Sequence, residues 1–259
     1  NVRLTDKQQL RVSASRTLAR PEYRELSPII SRDVVGGENL RGDENLQRTQ
    51  VENADVRWEY YPRQGETFSL AAFAKKFRNP IERVYGSGSG GTSFVFFTNA
   101  ESADNYGIEL EARKDLDQLG RFFSPYTVFA NVTVMESRIH LSDVIQAAAT
   151  NSSRRMVGQA PYVINTGITY SSHSGASTAT LLFNRVGERI VAAGSIPLPD
   201  VVEQPRNVVD LSLRVALSDA VTLRADAKNL LDTEHRTTQG TVIREAYTSG
   251  RTVQAGILW

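Results

Sequence analysis

The chain has 259 residues, 30 Lys and Arg against 29 Asp and Glu, and no cysteine. Near-neutrality without a basic stripe argues against nucleic acid, and the missing thiols exclude disulfides, thiolate metal sites and cysteine nucleophiles. No run of about 18 apolar residues exists, so no transmembrane helix is expected, although strands that cross a bilayer carry only half that hydrophobicity per segment.

Residues 8–17 alternate, with Leu10, Val12 and Ala14 against Arg11, Ser13 and Ser15. Successive strand residues point to opposite faces, so period two predicts a strand with one apolar and one polar face. A long irregular segment follows, carrying Pro21, Pro28, Gly36, Gly37 and Gly42. The next strand is predicted over about 46–61, where Ala54, Val56, Trp58 and Tyr60 oppose Asn53, Asp55, Arg57 and Glu59. Pro62-Arg63-Gln64-Gly65 is a short turn. Residues 66–78 return with Phe68, Leu70, Ala72 and Ala74 on one face and Lys75 and Phe77 on the other. A second long loop, about 79–102, contains Gly86-Ser87-Gly88-Ser89-Gly90-Gly91. Its spacing matches a dinucleotide fingerprint, but no βαβ context surrounds it, and a flexible exposed loop is the expectation.

Residues 104–115 set Tyr106, Ile108, Leu110 and Ala112 against Asn105, Gly107, Glu109, Glu111 and Arg113. Beyond the turn Asp117-Gln118-Leu119-Gly120, a strand is predicted over 122–137, with Tyr126, Val128, Ala130, Val132 and Val134 on its apolar face. A third long loop covers about 138–158, with room for a helical turn at Ala147-Ala148-Ala149. Strands at 160–172 and 177–187 flank the turn His173-Ser174-Gly175-Ala176, and a fourth long loop of about 188–205 carries Pro197, Pro199 and Pro205. The hairpin 206–231 turns at Ser218-Asp219-Ala220. Matched faces require an even register sum, which sets Leu217 opposite Val221 and Asp210 opposite Lys228 as an opposite-charge pair. After a fifth loop, about 232–249, the chain ends on Val253, Ala255, Ile257 and Trp259, alternating with Thr252, Gln254, Gly256 and Leu258.

Ten antiparallel strands result, and their nine connections alternate long and short without a break. Outer-membrane barrels follow that rule, with short periplasmic turns and long extracellular loops. The fold class expected is therefore all-β, an antiparallel up-and-down transmembrane barrel. Trp58, Tyr60, Phe68, Tyr126, Tyr170 and Trp259 fall near the short-turn ends and would form one interfacial girdle. The polar face would line the lumen, with Asp55, Arg57, Glu109, Glu111 and Arg113 in the first half and Asp210, Arg214, Arg224, Asp226 and Lys228 in the last hairpin. Glu109 and Glu111 share one face as an acid pair would, but charge lining a solvated lumen is the reading taken. His140, His173 and His235 lie in predicted loops or turns without metal-ligand spacing. Asn131-Val132-Thr133 and Asn151-Ser152-Ser153 match glycosylation sequons, which carry no meaning in a bacterial outer membrane. No catalytic, metal or cofactor residue is assigned.

Four stretches then identify a family. Ala19-Arg20-Pro21-Glu22-Tyr23-Arg24-Glu25-Leu26, Gly42-Asp43-Glu44-Asn45-Leu46, Phe77-Arg78-Asn79-Pro80-Ile81-Glu82 and Lys228-Asn229-Leu230-Leu231-Asp232 stand in order along the chain. With a C-terminal aromatic, here Trp259, they resemble the C-terminal half of the barrel of TonB-dependent outer-membrane receptors. Asp43 and Glu44 depart from that family's Asn-Pro. The resemblance implies a 22-stranded barrel around a plug, of which residues 1–259 would be the C-terminal part, with the plug and the N-terminal barrel strands upstream. No leader pattern precedes the first strand, which agrees with a longer parent chain. The partners implied are outer-membrane lipid, the TonB energy-coupling complex acting through the plug, and a scarce extracellular nutrient such as a metal chelate, glycan or peptide. Two other readings remain open on the residues alone. One is a complete ten-stranded barrel protease of the omptin kind, which would need an Asp/His cluster at its mouth. The other is a soluble β-sandwich binding module.

Overall fold

A computed structural model describes residues 1–32, 38–87 and 93–259, with the side chain of Ser87 outside that description. Gly36, Gly37 and the Gly88–Gly91 part of the glycine-rich segment lie outside the described residues. In chain order the strands are β1 (Val2–Thr5), β2 (Gln8–Ala19), β3 (Ser31–Arg32), β4 (Asn39–Arg41), β5 (Thr49–Tyr60) and β6 (Thr67–Arg78). There follow β7 (Ile81–Ser87), β8 (Ser93–Asn99), β9 (Ser102–Asp115), β10 (Tyr126–His140), β11 (Tyr162–Ser171), β12 (Ser177–Val186) and β13 (Arg189–Gly194). The last are β14 (Val201–Glu203), β15 (Arg206–Ala216), β16 (Thr222–Lys228), β17 (His235–Gln239), β18 (Val242–Tyr247) and β19 (Thr252–Leu258).

Eleven of these form one antiparallel wall in the order β1-β2-β5-β6-β9-β10-β11-β12-β15-β16-β19. All ten expected strands are present, and the short β1 adds an eleventh. The strand expected from residue 122 starts at Tyr126, after a 3₁₀ turn at Asp117–Leu119. The last hairpin has the expected register, with Leu213 opposite Ala225 and Ser212 opposite Asp226. The ion pair expected at its end does not form. Asp210 instead accepts the backbone N–H of Asn229 at 2.8 Å, and Lys228 faces Thr252 of β19.

Register keeps one apolar face continuous across the wall. Val12, Val56, Ala72, Ile108 and Val134 make one row. Leu181, Leu211, Ala227 and Val253 lie in another. The rows climb relative to the strand ends. One leaves Tyr60 at the short-turn end of β5, passes through Phe68, Ala112, Ala130, Thr166 and Phe183, and reaches Val209 near the long-loop end of β15. That stagger is the shear by which tilted strands curl a sheet toward a barrel.

The long loops are not irregular, as their composition suggests. They fold into a second sheet in the order β18-β17-β14-β13-β7-β8-β4-β3. Two of its pairings are parallel, β13 with β7 and β4 with β8, so strict antiparallelism holds only in the wall. The segments on either side of the glycine-rich stretch pair as a hairpin, β7 against β8, and the flexible-loop expectation for Gly88–Gly91 lies outside the described residues. Leu40, Tyr85, Val95, Ala192 and Val201 pack as the core of this loop sheet. Arg244 of β18 lies over the Tyr85 ring, 4.7 Å from its centroid, and pairs with Glu38 beside β4. The two ends of the loop sheet are thereby clasped. A second core of Ala100, Ala103 and Ile139, with Phe77, Leu141 and Met156 against it, seats this layer on the wall.

The family-like stretches sit at this junction for physical reasons. Glu22 and Glu25 form a reciprocal capping box on helix α1 (Tyr23–Leu26). Gly42 approaches that segment so closely that an added Cβ would lie 2.5 Å from Ser27 O. Asn79 takes a positive φ of 51°, and its carbonyl accepts from Thr49 and Asn99. Asn229 does the same at φ 54°, and its amide spans to Gly250 O at 2.9 Å. The expected helical turn in the third loop is helix α2 (Asp143–Ala148).

Candidate functional site

Exposure separates the two faces of the wall. Val12, Ile108 and Val134 are 62%, 56% and 59% exposed, whereas Glu59, Ser69 and Thr133 on the polar face are 4%, 1% and 7% exposed. Crowding of that kind marks the inside of a curve. Phe73 and Phe129 reinforce it by lying across Gly107 and Gly167 on neighbouring strands.

Charged groups assigned to this face from sequence share it by register. Arg57 bridges two of its carboxylates, donating to Glu59 at 3.0 Å and to Glu111. Glu59 also accepts from Tyr61 Oη at 3.0 Å and from Gln9, and it pairs with Arg11 at 3.0 Å. Glu109 stands between Ala71 and Thr133, and Arg113 between Thr67 and Phe129. Asp55 accepts from Ser13 at 3.2 Å. In the last hairpin Asp226 accepts from Ser212 at 2.7 Å and Arg224 at 2.9 Å, while Arg214 faces Arg224 directly. Asp210 and Lys228 take the partners already described. The charges form two clusters, one around Glu59 and one around Asp226. Sequence reasoning left Glu59 and Arg11 off the candidate list, although both alternate in phase with Arg57 and could have been read from it.

Above the wall, the loops enclose a cavity of about 920 Å³. Phe94, Phe96 and Phe97 give it an aromatic side, Ile196 an apolar lip, and Arg41 and Asp43 charges of both signs. That size and mixture suit a small-molecule ligand. Nothing in the sequence signalled it, because its residues come from four separate loops. Deep in the same layer, Arg154 donates to Glu82 at 2.6 Å with both side chains buried. Burial pushes the Glu82 carboxyl above its ordinary range, against the pull of Arg154 and the Val157 N–H.

At the opposite rim Arg63 binds Asp117 through two nitrogens, at 2.8 and 2.7 Å, and donates to Glu66 at 2.6 Å. Lys114 adds a bond to Glu66 at 2.9 Å. These cations hold the Glu66 carboxyl down at about 2. The aromatics assigned to this rim cluster there: Trp58 meets Phe68 edge-on at 5.8 Å and stacks on Tyr60, and Tyr126 lies 5.5 Å from Tyr170. Phe122 and Phe123, missed from sequence, join them. Trp259 follows the last strand and is fully exposed.

Two of the three histidines lie in strands rather than loops. His140 ends β10, 3.1 Å from Asp104, and His235 opens β17 beside Glu203 and Tyr247. His173 stays in its turn, 3.3 Å from Ser124. The Asp104–His140 pair faces outward on the wall, away from any mouth. Among the described residues no group of three or more His, Asp or Glu is placed to hold a metal ion.

Residues 1–230 match the family described as TonB dependent receptor-like, beta-barrel. A curated relative, the iron-regulated outer membrane virulence protein of Vibrio cholerae, is 23% identical over 222 residues, covering 83% of this chain and 32% of the relative. Among solved structures, the ferric enterobactin receptor of Pseudomonas aeruginosa aligns with a TM-score of 0.63 at 17% identity, over 98% of this chain and 39% of that one. The copper transporter OprC aligns at 0.66, also at 17% identity, over 98% and 37%. The chain thus spans about a third of the length of the relatives it matches.

Proposed function

Because the chain belongs to the family of TonB-dependent receptor β-barrels, we propose that it forms the C-terminal part of the wall and loop canopy of an energy-coupled outer-membrane receptor that imports a metal-bearing nutrient. Membership makes the barrel an outer-membrane one and sets the protease and sandwich readings aside, since the family is one of transporters. The unpaired edges at β1 and β19 fit a wall completed by further strands.

The cavity carries the ligand reading. It lies among the long loops, so a solute from outside meets it before the wall. Its aromatic side offers stacking, and Arg41 offers a charge-assisted donor to an anionic chelator. Below it, the Glu59 and Asp226 clusters give a concave, mixed-charge path. Such a surface can pass a polar solute along without holding it on one dominant charge. Names among the relatives point to iron and copper cargo, which favours a metal chelate over a glycan or peptide. Asp55, Arg57, Glu109, Glu111, Arg113, Asp210, Arg214, Arg224, Asp226 and Lys228 are read as lining this path.

Uptake of labelled ferric and cupric chelates by cells whose only receptor is the intact parent protein tests the proposal. Binding should persist, and uptake cease, when the inner-membrane energy-coupling complex is deleted. Phe96→Ala and Arg41→Gln should weaken binding. Uptake that ignores the coupling complex, or no metal chelate bound at all, would overturn it.

A further inference from the structure

We propose that the outer edge of β18 is a docking strip for one more strand, supplied by a long loop of the parent chain outside residues 1–259, an inference that rests on family membership and not on the cargo.

The order of the loop sheet points to that loop. β3 and β4 come from the first long loop, between β2 and β5, and β7 and β8 from the second, between β6 and β9. β13 and β14 come from the fourth, between β12 and β15, and β17 and β18 from the fifth, between β16 and β19. The sheet therefore takes its strands loop by loop in the order of the wall beneath, and β18 ends it where β19 ends the wall. A closed barrel has no edges, so a further wall strand pairs with β19. β1 is not that strand, because β1 and β19 both run toward the short-turn end, whereas the wall is antiparallel. The partner of β19 starts at the short-turn end and runs outward. It delivers its long loop beside β18.

β18 is built to accept a strand. Among the described residues, its backbone-to-backbone bonds run only to β17. All six of its residues are exposed, and Val242, Ile243 and Tyr247 are 58%, 52% and 47% exposed. Proteins blunt their free edges with charge, proline or shortness. The other end of the sheet follows that rule, since β3 is the polar pair Ser31–Arg32. β18 does not follow it, and it carries no Lys or Pro. Its register skips at Arg244, whose side chain turns inward onto Glu38 and the Tyr85 ring. That clasp is made by a side chain and leaves the backbone edge open. Glu245 is the one charge left at the edge, 4.0 Å from His235. A skipped register twists an edge away from chance partners such as a second copy, while a loop held in place by the wall can match it. The fitting segment is extended, with β-branched or aromatic residues opposite Val242, Ile243 and Tyr247. Its pairing would carry the canopy across the seam between β19 and the next wall strand.

The test uses the intact parent receptor, purified in vesicles. A photo-crosslinking phenylalanine analogue in place of Tyr247 should capture the long loop that follows the partner strand of β19, identified by mass spectrometry of the joined peptides. Val242→Lys with Ile243→Lys should speed amide exchange in that loop about tenfold. Residues 252–258 of the wall should keep their protection in the same variant. Should the double variant fail to fold, the crosslink in the otherwise unchanged protein decides. Capture of a different segment, of a second copy or of nothing, or exchange in that loop that ignores both lysines, would overturn the proposal. Neither readout involves a chelate, so the cargo stands or falls separately.

Discussion

Glu82 and Arg154 meet at 2.6 Å, 72 positions apart in sequence, with both side chains almost wholly out of solvent. The pair joins β7 to the third loop, so it ties one long loop to another. A buried pair of this kind adds little over an apolar substitute, yet breaking it is costly, because one charge is then left without its counter-ion.

Arg154→Met should therefore loosen the loop sheet by about 3–5 kcal/mol, and the double change with Glu82→Gln should recover much of that. The pH sense follows from the raised carboxyl. A folded state that holds its proton more tightly than the unfolded chain loses stability as pH rises past the ordinary carboxylate range. In Arg154→Met the loss should steepen, since only the Val157 N–H then opposes the burial. Hydrogen exchange of residues 81–87 in the intact receptor, at pH 5 and pH 8, reads both effects. Protection in the variant that is greater at pH 8 than at pH 5 would contradict this account.

Leu213 and Ser212 are neighbours on opposite faces. Leu213 lies between Ala179 and Ala225, and Ser212 donates to Asp226 at 2.7 Å. Leu213→Arg should cost about 2–4 kcal/mol of folding stability in lipid vesicles, because the guanidinium meets hydrocarbon. Ser212→Arg, toward water and two carboxylates, should be much milder. The reverse order would mean that the faces are inverted.

The Glu66 cluster at the short-turn rim predicts an acid transition. Arg63 and Lys114 depress its carboxyl, so the stability it contributes is present above the ordinary value, about 4.3, and is lost as pH falls toward about 2. Amide exchange in the 61–67 turn should rise over that interval, and Glu66→Gln should flatten the dependence. A variant with the same acid profile as the parent would assign the transition elsewhere.

Gly167 is a position where the wall admits no side chain. A Cβ there would stand 2.5 Å from both Leu181 O and the Phe129 ring. Gly167→Ala should cost about 1–3 kcal/mol. Trimming Phe129 to Leu should restore only part of it, because the carbonyl stays. Denaturant melts of the two variants in vesicles would show this, and full rescue would put the strain in the ring alone.

The wall was legible because each of its strands separates lipid from water. Val56 and Arg57 cannot exchange faces, so the sequence has to alternate. The loop sheet carries no such constraint. Ile190-Val191-Ala192-Ala193-Gly194 lies partly to wholly buried between β14 and β7 and reads as a plain apolar run. Ser31–Arg32 and Asn39–Arg41 are too short to show any period. Glu59 was in phase with Arg57 and within reach of pattern reading. Arg154 was not, because its partner is fixed by how two loops fold over each other.

The loop sheet also has a bearing on how the protein could be re-engineered. Ser195 donates to Tyr85 O across 110 positions, and β13 lies parallel to β7 although they belong to different loops. Strands drawn from four loops share one hydrogen-bonded layer, and the third is latched to it through Arg154. A single loop transplanted from a relative would arrive without the edges it has to pair with. The canopy is therefore not modular. A change of specificity by grafting requires the loops to move as a set.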